Sequence, residues 1–322
     1  MAFPTETVYG LGGNALDPDA SRRIYAAKGR PSDNPLIVHI SELSQAEPLV
    51  RRVSSLEYPE GSDIPVNAHR LADAIWPGPM TMVLPKSPLV PKETTGGLDT
   101  VALRLPANAA TLKLIEYAEI PVAGPSANIS GRPSPTTWQH VRDDLDGRID
   151  AVIKGEPCIG GIESTVVDMT EELPVILRPG LITPERISQV LQLPCSYDPA
   201  ILGSPDPSLV PKAPGMKYRH YAPKAEMRLF RLKEGNAGKS ADQLISVMNE
   251  EAEEYRRLGR NVEVLCYESE REAAEKLFAD LRRLDQENAD MIFAAALDQS
   301  SSIGFSVMNR MLKSAGYNIV EV

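Results

Sequence analysis

Two cations one residue apart, Lys28 and Arg30 in AAKGRPSDNP, are the first residues of this 322-residue chain whose spacing suggests chemistry. A guanidinium offers a planar fork and an ammonium a compact point charge, so the two held in one corner suit phosphate oxygens. Gly29 and Pro31 fix the direction of that corner, and Asn34, Pro35 and an apolar strand over 36–40 containing His39 follow it. The plainer reading is that both cations only complement the negative end of the preceding helix, worth about 0.3 to 1 kcal/mol each at an exposed site. On that view and on the phosphate view alike, losing Arg30 should leave folding nearly untouched. Upstream, Thr5, Glu6 and Thr7 place two hydroxyls and a carboxylate behind Pro4. Downstream, Arg104 interrupts the apolar strand TVALRL, where a cation needs an anionic partner from protein or ligand.

Two further loops share this character. GPSANISGRPSPTT, residues 124–137, carries Ser126, Asn128, Ser130, Thr136 and Thr137 between stiffening prolines, and only its end is explained by an N-cap at Ser134 or Thr136. GGIESTVVD sets Glu163, Ser164 and Thr165 at the mouth of a β-branched strand, and Arg178 ends the strand PVILR. Polar groups at several strand ends are where α/β proteins bind ligands, so one convergent pocket would use them all. The chain lacks GxxxxGK[ST], HExxH, GxSxG and the kinase signatures. Hydroxyls, an amide and several cations without an evident nucleophile suit a reaction in which two bound substrates attack each other.

Helix signals place the cations. Asp17 reads as N-cap, Pro18 as the first helical residue, Ala20, Ile24 and Ala27 as the buried stripe, and Gly29 as the stop. GLGGNA, just before, matches the dinucleotide pattern loosely, but that fingerprint needs its helix to begin at the glycines. Helices are expected over 41–53, 67–76, 109–118 and 184–193, with strands at 80–84, 100–105, 120–123 and 151–153. Seven prolines between Pro194 and Pro223 mark a linker, whose end, APGMKYRHYAP, is too cationic and aromatic for a spacer. It reads as a lid in which Tyr218 or Tyr221 contacts the ligand. Beyond it, strands and helices alternate as in a small parallel βαβ domain, with Cys266 in its core.

A composition of 42% hydrophobic and 24% charged residues suits two globular domains, divided here as 1–198, a linker 199–225, and 226–322. A net charge of −10 counts against gripping nucleic acid by bulk electrostatics. No apolar run approaches the roughly 18 residues of a membrane span and no leader is evident, so a cytoplasmic location without membrane partners is expected. Cys158, Cys195 and Cys266 are too dispersed for a disulfide framework or zinc cluster.

Taken in order, PTETVYGLG, AKGRPSDNPLIVH, GPSANISG, GIESTVVD and PGMKYRHYAP resemble the YrdC/YwlC family, in its long two-domain threonylcarbamoyl-AMP synthase form. The resemblance implies an α/β fold: a YrdC-like twisted mixed sheet with helices, a proline-rich linker, and a small Rossmann-like parallel domain. It implies condensation of ATP, with Mg2+, L-threonine and bicarbonate to threonylcarbamoyl-AMP, for modifying the adenosine beside the anticodon of tRNA through a downstream threonylcarbamoyltransferase. Lys28, Arg30, Ser126 and Asn128 would mark the active site. Thr5 or Thr7, His39, Arg104, Ser126 and Ser164 would surround threonine, and Lys28, Arg30, Asn34, Thr100, Asn128, Thr136 and Arg178, with Tyr218 and Tyr221, would surround ATP. The family usually has a helix and most of a strand before the Pro-Thr-Glu-Thr turn, so a truncated start is expected. A double-stranded RNA-binding module and a carbamoyl-adenylate-forming enzyme are the rival readings.

Overall fold

The computed structural model describes residues 1–203, 211–214, 220–233 and 241–322; Tyr218 lies outside them. The chain divides into two compact units, Met1–Ser130 with Ser134–Tyr218, and Gly131–Pro133 with Arg219–Val322.

The first unit opens with strand β1 (Ala2–Phe3), which pairs antiparallel with β2 (Gly10–Leu11), ahead of β3 (Gly13–Asn14). Helix α1 (Pro18–Lys28) begins where its signals say: Asp17 Oδ1 accepts the Asp19 amide at 2.8 Å, and Gly29 closes it in the left-handed region at φ +61°. After β4 (Ile37–His39) come α2 (Val66–Ile75), β5 (Met80–Pro85), β6 (Thr100–Arg104), α3 (Ala109–Ala118) and β7 (Val122–Ala123). Then follow α4 (Trp138–Leu145), β8 (Thr165–Asp168), β9 (Val175–Arg178), α5 (Pro184–Leu191) and β10 (Ser196–Tyr197). The sheet runs β10-β9-β8-β5-β6-β4-β7-β3 and is mixed, with β4/β6 and β5/β8 parallel and β5/β6 and β4/β7 antiparallel. That register sets His39 opposite Arg104, so an imidazole and a guanidinium lie side by side on neighbouring strands.

Some expected elements differ. The helix foreseen over 41–53 is a 3-10 helix, Leu43–Leu49, containing Pro48, whose missing N–H cannot serve a longer helix. The strand foreseen at 151–153 reduces to one parallel bridge between Val152 and Ala2. Helix α4 is capped by Thr137, whose side chain accepts from the His140 amide, rather than by Ser134 or Thr136. Ser134 stands before Pro135, which steers it away from helical backbone.

In the second unit, β11 (Glu226–Arg231), α6 (Ala241–Arg257), β12 (Val262–Leu265), α7 (Glu270–Gln286), β13 (Met291–Ala295), α8 (Ser302–Ser314) and β14 (Ile319–Glu321) alternate. Their strands form an all-parallel sheet, β12-β13-β11-β14, over a core that includes Phe230, Met248, Val262 and Phe293. Cys266 is exposed, not core: β12 ends one residue before it. Within this unit the Tyr221 ring is buried 5.0 Å from that of Phe278, with φ +64°. Buried Asp285 pairs with Arg132 at 2.9 Å and accepts the Lys224 amide at 2.7 Å.

Candidate active site

Three clusters of polar side chains lie in the first unit. The first is built on α1. Positions 20, 24 and 28 share one face of a 3.6-residue helix, so the stripe that buries Ala20 and Ile24 also carries Lys28 inward, leaving it 1% exposed. Ala27, expected in that stripe, is only half-buried. Lys28 Nζ donates to the backbone carbonyls of Ser126 and Asn128, each at 2.5 Å, while the Lys28 carbonyl accepts the Ser130 amide at 2.9 Å. One residue therefore clamps the SANIS loop at both ends. Ser126 Oγ donates to Asn128 Oδ1 at 2.6 Å, which makes the two polar side chains of that loop a single unit. Beside them, Arg30 donates to Asn34 Oδ1 at 2.6 Å and to the Asn34 and Pro35 carbonyls at 3.1 and 3.0 Å. The Tyr25 hydroxyl supports the same Asn34 carbonyl, and burial pushes its pKa up to about 12.

The second cluster centres on Arg104, 4% exposed at the end of β6. Its Nη2 lies 2.8 Å from Glu6 Oε1 and donates to Thr7 Oγ1 at 3.0 Å. Thr5 and Thr7 hydroxyls are 2.9 Å apart, and Thr5 donates to the Val8 carbonyl at 2.6 Å. Neighbouring His39 is fully enclosed: burial, reinforced by the Arg104 charge, lowers its pKa to about 3, so the imidazole is neutral. The third cluster is at the other strand ends, where Arg178 donates to the Ser164 carbonyl at 3.0 Å and to Ser164 Oγ at 3.1 Å, and Ser164 Oγ meets Thr81 Oγ1 at 2.8 Å.

Segment 5–11 ties the loops together. The Glu6 carbonyl accepts the Gly160 amide, Tyr9 donates to Pro135 and accepts from Ala127, and Leu11 donates to Pro125, each at 2.8 Å. The glycines of GLGG serve this packing rather than a dinucleotide: a β-carbon on Gly10 would come within 2.6 Å of the Phe3 ring. Thr136 lies beside His140, its amide donating to Nδ1 at 3.3 Å, and its carbonyl accepts the Cys158 amide. Thr100 opens β6 opposite Pro85, a strand length of about 13 Å from Arg104. Tyr221 belongs to the second unit. Sequence reading missed Thr81, a lone hydroxyl in the apolar run MTMVL, and assigned no partner to Glu6. Cys158 is no nucleophile: burial pushes its pKa up to about 12, holding the thiol protonated.

Buried cations, hydroxyls and an amide held by loops at sheet edges, with no activated nucleophile among the described residues, define an α/β protein whose site suits anionic ligands. Comparison places it further. The family model of Sua5, YciO and YrdC, described as telomere recombination, matches residues 1–180, and the model of the threonylcarbamoyl-AMP synthase C-terminal domain matches 182–316. Threonylcarbamoyl-AMP synthase of Pyrococcus abyssi is 45% identical over all of this chain and 92% of its own length. The Bacillus subtilis protein of that name is 40% identical over 99% of this chain and 90% of its own. The crystal structure of P. abyssi Sua5 complexed with L-threonine superposes with a TM-score of 0.88 at 44% identity, covering 100% of this chain and 92% of that one. The chain belongs to the threonylcarbamoyl-AMP synthase family, in its two-domain form.

Proposed function

We propose that this chain condenses ATP, L-threonine and bicarbonate to L-threonylcarbamoyl-AMP and pyrophosphate, the activated group then passing to the adenosine next to the anticodon of tRNA. The observation that carries the reading is that segment 5–11 joins two cation-bearing clusters, one around Arg104 and one around Lys28 and Arg30, in a chain whose relatives bear this name. Arg104, Thr7 and neutral His39 suit a small amino acid with a carboxylate and a hydroxyl. Lys28, Arg30, Asn128 and Arg178 suit a triphosphate.

In this reading threonine's amine is first carbamoylated, and a carbamate oxygen then attacks the α-phosphorus in line. The protein supplies positioning and charge neutralisation; no covalent enzyme intermediate is needed. The rigid clamp of Lys28 on residues 126–128 keeps the nucleotide-facing loop from reorganising as charge moves onto pyrophosphate. Magnesium enters with the nucleotide as part of the substrate.

Neither rival reading draws comparable support. The relatives that cover nearly the whole chain are synthases rather than RNA-binding modules, and the net charge of −10 is unfavourable for a sole role in gripping RNA. The test is incubation with ATP, threonine and carbon-13 bicarbonate, followed by mass spectrometry. The expected product is an adenylate carrying threonine and one labelled carbon; an unlabelled adenylate, or none, contradicts the reading.

A further inference from the structure

We infer that Glu6 accepts the proton that threonine's ammonium group must lose before its nitrogen is carbamoylated, Arg104 passing meanwhile from the Glu6 carboxylate to the substrate's carboxylate. The inference rests on the proposed synthesis of threonylcarbamoyl-AMP.

Two buried polar atoms of one ion pair lie here with their hydrogen-bonding unfinished. Glu6 Oε1 is 2.8 Å from Arg104 Nη2 yet takes no well-aligned hydrogen bond, and Arg104 Nε has no partner among the described residues. Buried polar groups left without partners are unfavourable, so their adjacency marks a place that a polar ligand completes. A zwitterionic amino acid matches it in sign: a carboxylate for the unpartnered Nε of Arg104, and an ammonium that needs an anion in a buried site. Glu6 is the carboxylate beside Arg104. Glu163, a buried acid of the same loops, already accepts from Ser134 Oγ at 2.5 Å.

In the free site the Glu6 carboxylate is held 2.8 Å from the Arg104 guanidinium. Once the substrate's carboxylate takes the guanidinium, Glu6 is left facing the ammonium, and the site's net charge is unchanged. The step balances with bicarbonate: ammonium, bicarbonate and the Glu6 carboxylate give carbamate, water and a protonated Glu6. The C–N bond forms as a C–O bond of bicarbonate breaks to release water. The other groups set against Glu6 do not compete for that proton. The Arg104 guanidinium offers only N–H donors, the Cys158 thiol is held protonated by burial with Glu6 adding to the effect, and the Ala107 amide only donates to Glu6 Oε2 at 3.1 Å.

The experiment measures kcat and the KM for threonine across pH 6.5 to 10 for the full chain, Glu6→Gln and Glu6→Asp, with thermal unfolding alongside. Glutamine keeps the shape and the acceptor but cannot take the proton. Glu6→Gln is expected to lose about 100-fold or more in kcat near pH 7 and to recover about tenfold per pH unit as free amine appears. Glu6→Asp keeps a base one methylene short, so a lesser loss without that steep recovery is expected. A folded Glu6→Gln with kcat within twofold of the parent, or with a loss equal at every pH, overturns the inference. Should Glu6→Gln not fold, Glu6→Asp decides: unchanged kcat overturns it, and reduced kcat at an unchanged pH slope supports it. A parent chain without threonine-dependent pyrophosphate release removes the functional reading itself, a result distinct from an active parent with an indifferent variant.

Discussion

The ammonium of Lys28 lies 2.5 Å from the backbone carbonyl of Asn128, one hundred residues away in the chain, and 1% of Lys28 is exposed. The cation that sequence places at the end of a helix is therefore a tie across the site. Lys28→Met keeps the stem and removes the charge together with its hydrogen bonds to the Ser126 and Asn128 carbonyls. The expected cost is roughly 2 to 5 kcal/mol of stability, read as a lower Tm, with pyrophosphate release down about 100-fold or more. A variant with parental Tm would show that the tie carries little.

Arg30 also does more than its sequence suggests. Three hydrogen bonds from one guanidinium hold the Asn34 side chain and the carbonyls of Asn34 and Pro35. Arg30→Ala is accordingly expected to raise the KM for ATP about 10-fold and to lower stability by about 1 to 3 kcal/mol, instead of leaving folding untouched. Denaturant unfolding and ATP titration of one preparation separate the two effects.

His39 predicts a pH dependence. Its folded pKa, lowered to about 3, lies below the unfolded value, so the unfolded chain binds the extra proton between these limits. The neutral ring's contribution is thus complete above about pH 6.5 and is lost as pH falls from there toward 3, at up to about 1.4 kcal/mol per unit. Urea unfolding of the parent and His39→Gln from pH 8 to 4 should converge on the acid side. Curves that stay parallel would show that His39 protonates in the folded chain.

Ser164 Oγ stands between Arg178 and Thr81 at 3.1 and 2.8 Å. Ser164→Ala removes the acceptor for one guanidinium N–H and leaves Thr81 buried without it. The KM values for threonine and for ATP are both expected to rise, about 3- to 10-fold, with about 1 to 2 kcal/mol lost in stability. Movement of a single KM would assign Ser164 to one substrate alone.

Much of this is legible in the residues. Asp17, Pro18 and Gly29 bound a helix by backbone chemistry that needs no tertiary partner, and the structure follows them. Arg104 in an apolar strand demands an anion, and one is there, although it is Glu6. What sequence leaves open depends on distant packing. Gly10 resembles a ligand-binding turn until the Phe3 ring is seen against it. Lys28 looks like a terminal cation because the loop that receives it lies about a hundred residues downstream. Cys266 looks apolar enough for a core, and its exposure follows from the single residue by which β12 falls short.

The central claim is that bound substrates react with each other here, and pyrophosphate release measured while ATP, L-threonine and bicarbonate are withheld in turn tests it most directly. Release is expected only when all three are present. Release that continues without threonine, or without bicarbonate, would contradict it.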